Sequence, residues 1–209
     1  MAARPVSELA AELQGGDESA AIAASSALRE KKDPAGLDHL IKAADGSEFA
    51  SVRKLSTMAL QWFADPKAIA AMVELMHEEE EEVVVTAKEG FDFAVGQNYT
   101  KIGEGMAIAK EESPEAYSVA FDLLKGMVNS TEGFKGSRAS ASLGRTGDPQ
   151  ATSVLVNLLK TGDESQQGKA AMALGGIDSP ESVAALKEAA LSESASVANS
   201  ASGALRSLG

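Results

Sequence analysis

Cysteine is absent from this 209-residue chain, and with it go disulfides, thiolate metal sites and cysteine nucleophiles. The absence fits a reducing compartment. Aromatic residues are scarce at 4%, so the core must be filled by Ala, Leu and Val, which suits closely packed helices better than aromatic-rich strands. Positive charge is the minority sign: 19 Lys and Arg face 31 Asp and Glu, a formal charge of −12. Duplex nucleic acid, whose phosphates demand clustered cations, is thereby disfavoured as a partner. Long apolar runs are missing too. Residues 1–14 hold one Arg and two Glu and look like neither a signal peptide nor a membrane span, so the expectation is a cytoplasmic location without membrane contact.

Proline is also sparse, and its placement is informative. The six prolines are Pro5, Pro34, Pro66, Pro114, Pro149 and Pro180, and five follow Asp33, Asp65, Ser113, Asp148 or Ser179. An Asp or Ser before proline is a helix start: the side chain accepts from an orphan N–H, and proline at the first helical position lacks only a donor the helix does not use. Six residues before most prolines stands a large apolar residue: Leu28, Leu60, Ile108, Leu143 and Leu174. Leu143, Leu174 and Leu205 are 31 residues apart, and Leu28 and Leu60 are 32 apart, a period of helix-pair repeats.

Each repeat then holds a helix A that begins at the proline and a helix B that ends just past the anchor leucine. The fold class predicted is all-α, a right-handed solenoid of about six helix pairs forming one elongated domain over residues 1–209. Approximate repeats are 5–33, 34–65, 66–113, 114–148, 149–179 and 180–209. A helices carry one apolar face, as in Leu37, Leu40 and Ile41, or Ile69, Met72, Val73 and Met76. B helices carry small residues four positions before the anchor (Ala24, Ser56, Ala87, Ala139, Ala170, Ala201) and directly before it (Ala27, Ala59, Gly90, Ser142, Ala173, Ala204), with Phe91 as the third anchor. Those two rows share a face and mark where B approaches its neighbours closely.

One interval is longer. Leu60 and Ile108 are 48 residues apart, which leaves residues 92–108 as an insert in the third repeat. It reads as an extension of helix B followed by a short helical turn. Two roles stand open for it, a packed irregular connection and a binding insertion.

The stretches Ser142-Leu143-Gly144 to Gly147-Asp148-Pro149 and Ala173-Leu174-Gly175 to Asp178-Ser179-Pro180 resemble the short HEAT-like repeats of the phycocyanobilin lyase type. The pattern is matched best over residues 137–209. In the first half Val52-Arg53 fits it, but Gln61-Trp62 stands where the family has a glycine turn. The resemblance implies a helical-repeat fold, with B helices lining an inner face. It is compatible with bilin lyase subunits, scaffolds and a metal-dependent hydroxylase family.

A hydroxylase of that kind needs several His-Glu pairs on successive repeats, whereas this chain has only His77-Glu78, with His39 as its other histidine. No metal site, catalytic group or cofactor is therefore expected. His77 reads as a surface residue near a helix C-terminus. Residues 78–82, five consecutive glutamates, read as a solvated tip, with a cation site or docking point as the alternatives. They lack the alternating oxygen spacing and the glycine of a calcium loop.

The eight residues before each anchor hold one acid, Glu89, against Arg53, Lys54, Lys88, Lys135, Arg138 and Lys169. This charge segregation predicts a non-enzymatic scaffold that holds an acidic protein partner along its B helices. Arg53 lies near the packed face and reads as a structural Arg bonded to a neighbouring turn. Candidate contacts are Lys54, Met58, Lys88, Phe93, Tyr99, Arg138, Lys169 and Met172, of which Phe93 and Tyr99 fall in the long interval without proline. Trp62 and Phe63 read as core packing, with an aromatic anchor for a partner as the alternative. A bilin lyase subunit, its basic residues holding pigment propionates, is the second functional reading, and it rests on the resemblance alone.

Overall fold

The computed structural model describes residues 4–130 and 132–208; Gly209, which ends the sixth expected repeat, lies outside them. Among the described residues there are twelve α-helices, two short 3-10 turns and no strand. The helices are α1 (Val6–Leu13), α2 (Glu18–Lys31), α3 (Leu37–Gly46), α4 (Ala50–Leu60), α5 (Pro66–Glu74), α6 (Glu81–Glu112), α7 (Pro114–Met127), α8 (Lys135–Arg145), α9 (Pro149–Thr161), α10 (Glu164–Leu174), α11 (Pro180–Ala189) and α12 (Ala195–Leu208). The described residues are thus all-α, as predicted.

The helix starts follow from the sequence. Asp33, Asp65, Asp148 and Ser179 each accept from a backbone N–H within the first turn that their proline opens, those of Ala35, Lys67, Gln150 and Ser182. Each such cap stabilises its helix by about 1 kcal/mol. Pro34 opens a 3-10 turn, Pro34–Gly36, that leads into α3, and Pro5 sits one position early, at the N-cap of α1. Between the paired helices Asp17 caps α2, and Asp163 with Gln166 forms a reciprocal capping box on α10.

The small-residue row is the most regular part of the core. Ala24, Ser56, Ala87, Ala139, Ala170 and Ala201 are all fully buried, as are the anchors Leu60, Phe91, Leu143 and Leu174. Leu205 is half-buried. Ile108 is a correction to the anchor pattern: it is half-buried, while Ile102, Met106 and Ala109 of the same helix are fully enclosed. The longer interval shifts the helical phase, so the six-residue rule picks the wrong side chain there.

The chain divides into two compact units. One comprises residues through Ala94 with Ile108–Ala120, the other Val95–Ala107 with Phe121 onward, so α6 and α7 contribute to both. In the first unit α2 packs on α4, and each B helix packs on its own A partner, α2 on α1 and α4 on α3. Between α2 and α4 the hydroxyls of Ser25 and Ser56 meet at 3.3 Å in the core, satisfying two polar groups that burial would otherwise leave without partners. In the second unit α8 packs on α10 and α10 on α12, with α9 and α11 alongside.

The glycine after the anchor leucine has a physical reason. A Cβ on Gly144 would stand 2.7 Å from the carbonyl oxygen of Ala173, and one on Gly175 would stand 2.8 Å from Cβ of Ala204. At this level α8 approaches α10, and α10 approaches α12, so closely that only glycine fits.

The insert is helical on both sides of a kink. Residues 92–108 lie inside α6, which runs 32 residues with one departure from helical geometry at Asn98 (φ −123°, ψ 30°). Helix B extends to this kink, and a second helical stretch follows it.

Candidate functional site

Most cations whose contacts are resolved meet carboxylates. Lys67 Nζ is 3.2 Å from Asp38, Lys101 is 3.1 Å from Glu104, and Arg4 reaches Glu8 and Glu12. The glutamate run has the same use. Arg53 Nε donates to Glu80 at 2.8 Å while its Nη1 donates to the carbonyl of Ser47, and Lys54 Nζ lies 3.0 Å from Glu82. Arg53 is thus the structural arginine expected. Within residues 78–82, Glu80 and Glu82 are thus more than a solvated tip, since they supply the countercharge for α4.

The candidate residues of the first unit are dispersed. Lys54 is balanced by Glu82, Met58 is half-buried on α4, and Lys88 is half-buried on α6. Phe93 packs against Trp62 with ring centroids 4.9 Å apart, and Lys32 Nζ stands 4.8 Å from the centre of the Trp62 ring. Phe63 is buried as expected, but Trp62 is 41% exposed, a correction to its core assignment. It follows the end of α4, where the family's glycine turn is missing, and the chain there presents the indole outward.

The second unit brings residues together. Arg138 donates to the carbonyl of Gly96, and its guanidinium lies 5.7 Å from the Phe134 ring. Ser142 Oγ donates to the carbonyl of Tyr99 at 3.3 Å, and Gly103 meets the backbone of Arg145 with no room for a Cβ. The kink at Asn98 interrupts the helical ladder beside Gly96 and Tyr99, and side chains of α8 take up their carbonyls. Residues 95–107 are thereby laid along α8.

That arrangement forms one wall of a cleft of about 450 Å³. Tyr99 comes from α6, Ser137, Ala141 and Arg145 from α8, and Lys169 and Met172 from α10. The Arg145 guanidinium stands 5.6 Å from the Tyr99 ring and donates to the carbonyl of Ala141 at 3.1 Å. Arg145 and Lys169 have no carboxylate partner among the described residues. Met172 is 60% exposed. Small side chains between these groups leave room for an extended chain to approach the backbone.

Of the eight candidate contacts, Tyr99, Lys169 and Met172 converge here. Arg138 belongs to the same unit but is turned to Gly96. Arg145 is the cleft residue that sequence reasoning missed. It stands two residues past its anchor, in Leu143-Gly144-Arg145, just outside the stretch where charge segregation was read. Among the described residues no cluster of His, Asp and Glu could hold a metal ion, and no helix is long and apolar enough to cross a membrane.

No curated protein matches the chain in sequence. Among solved structures it is similar to a designed armadillo repeat protein in complex with peptide (KR)4, at 17% identity and a TM-score of 0.54, covering 99% of this chain and 100% of that one. An engineered protein has 21% identity and a TM-score of 0.50, covering 97% and 96%. The CpcE–CpcF complex of phycocyanin lyase from Nostoc sp. PCC7120 has 16% identity over 98% and 95%, but its TM-score of 0.40 is too low to bear on function. The first two likenesses establish the fold alone. The HEAT repeat profile matches residues 6–89 and 122–206, most of the sequence, and with the capped helix pairs and small-residue rows it makes this chain a member of the HEAT repeat family.

Proposed function

We propose that the protein is a non-enzymatic binding scaffold that seats an extended, acidic protein segment in the cleft between α8, α10 and the Tyr99 stretch of α6. One observation carries the reading. In a chain of net charge −12, Arg145 and Lys169 lie in one cleft without acid partners, beside an exposed methionine and a tyrosine. Unpaired cations in a mostly acidic molecule attract acidic ligands and repel basic ones. Met172 and Tyr99 supply adaptable and flat apolar contact for a side chain next to the acids. The fold supports the reading, since helical repeats present long surfaces to extended chains. The designed armadillo protein of similar fold binds a basic peptide, and the proposed cleft here has the opposite sign.

Lys54 and Arg138 leave the contact set, because Glu82 and the Gly96 carbonyl already occupy them. The test is fluorescence anisotropy with a labelled 12-residue peptide of alternating Glu and Leu, beside its Lys counterpart. The acidic peptide binds, the Lys peptide does not, and Arg145→Glu with Lys169→Glu weakens binding at least about tenfold, or 1.4 kcal/mol. Biliverdin added to the same protein leaves its absorption spectrum unchanged; a shifted spectrum together with no peptide binding would favour the pigment-handling reading instead.

A further inference from the structure

The surface of the second unit does not end at the cleft. Gly144 and Gly176, which border the cleft, also border a second groove of about 570 Å³. Its walls are two successive helix starts, at Pro149 of α9 and Pro180 of α11, and Ile177 joins them. Both prolines are exposed and Ile177 is half-buried, so the residues that punctuate the repeats also offer apolar contact to a ligand.

The way from cleft to groove is open at Gly176, which is exposed and carries no side chain. A Cβ there would have as its nearest contact the Ala173 carbonyl oxygen, at 3.4 Å, and the backbone is not left-handed. Helix packing therefore does not demand this glycine, unlike Gly144 and Gly175. Its bareness leaves a path over the surface for a chain that leaves the cleft.

The two regions have opposite charge. Arg145 and Lys169 line the cleft, whereas no Lys or Arg lines the groove. Asp178 and Glu181 are exposed there and have no cation partner among the described residues. Asp148, the third acid, is buried and caps α9. A ligand that matches both regions is acidic at one end and basic at the other.

We propose that the extended segment seated in the cleft continues across Gly176 into this groove, and that the continuation is a short apolar and basic stretch whose Lys or Arg meets Asp178 and Glu181. The inference rests on the reading of the cleft and adds the order of charges along the ligand. Two exposed acids hold a free basic peptide only weakly. Tethered through the cleft, the same contact acts at an effective concentration on the order of 1 mM, so a groove with a Kd of about 0.1 mM for the stretch adds about tenfold in affinity.

Anisotropy with the whole protein compares the acidic Glu/Leu peptide alone with the same peptide extended at either end by about six residues of alternating Lys and Leu, ~20 Å of chain, or of Gln and Leu. At one end the Lys extension binds about tenfold tighter than the Gln extension. Asp178→Asn with Glu181→Gln abolishes this gain while the unextended peptide binds as before. Gly176→Leu closes the path and lowers the ratio of extended to unextended affinity. Glu188→Gln with Glu193→Gln, at two exposed acids outside the groove, changes the net charge equally and keeps the gain. If the unextended peptide binds but the Lys extension gains nothing at either end, or the gain survives Asp178→Asn with Glu181→Gln, survives Gly176→Leu, or is lost equally in the control, the groove is overturned and the cleft stands. Failure of the extended and unextended peptides alike overturns both.

Discussion

Arg138 on α8 donates its guanidinium to the backbone carbonyl of Gly96 on α6, two residues before the point where that helix leaves helical geometry at Asn98. A B-helix cation that the sequence offered as a partner contact is thus a structural clamp. It holds the long interval against α8 and so positions Tyr99 at the cleft.

Removing the clamp is the first prediction. Arg138→Met leaves the Gly96 carbonyl without its charged donor and costs roughly 1.5–3 kcal/mol, read as a lower melting temperature. Because Tyr99 is held through the same kink, affinity for the acidic peptide falls as well. A variant as stable as the wild type would show that α8 does not secure the kink.

Gly144→Ala is predicted to destabilise the second unit by about 1–3 kcal/mol, because the added methyl meets the Ala173 carbonyl at 2.7 Å and backbone must move. Chemical denaturation measures it. Gly126→Ala, at a helical position where a Cβ meets nothing within 4 Å, serves as the control and is expected to be neutral or slightly stabilising.

Ala170→Leu tests the small-residue row. Ala170 is fully buried where α10 packs between α8 and α12, and overpacking there costs about 1–3 kcal/mol. An unchanged melting temperature would mean the row does not set the helix spacing.

Stability has a pH component of defined sign. Glu74 binds its proton more tightly in the folded chain, with a pKa of about 7 against 4.5 for the free group, so stability falls as pH rises from about 4.5 to 7 and the loss is complete above 7. Since the group is partly exposed, solvent screening limits its contribution to on the order of 1 kcal/mol. Comparing melting temperatures of wild type and Glu74→Gln at pH ~5 and ~8 isolates this contribution from the general repulsion of an acidic chain.

The repeats were legible because their signals are local. A Ser or Asp before proline caps a helix through bonds two or three residues long, and the small row at Ala139, Ala170 and Ala201 follows helical periodicity. The kink at Asn98 was not legible, because it depends on carbonyls of α6 meeting Arg138 and Ser142 more than forty residues later. The same limit applies to charge. Sequence showed cations segregated to B helices, but it could not show that Glu80 and Glu82 neutralise Arg53 and Lys54 while Arg145 and Lys169 stay unpaired. Which cations are free is a property of the folded chain.

The most direct measurement is the affinity of the wild-type protein for the acidic Glu/Leu peptide, beside the Arg145→Glu, Lys169→Glu double variant, at low and moderate salt. The account predicts binding that weakens with salt and drops at least about tenfold on reversal of the two charges. Equal affinity in both proteins, or preference for the Lys peptide, would contradict the assignment of the cleft.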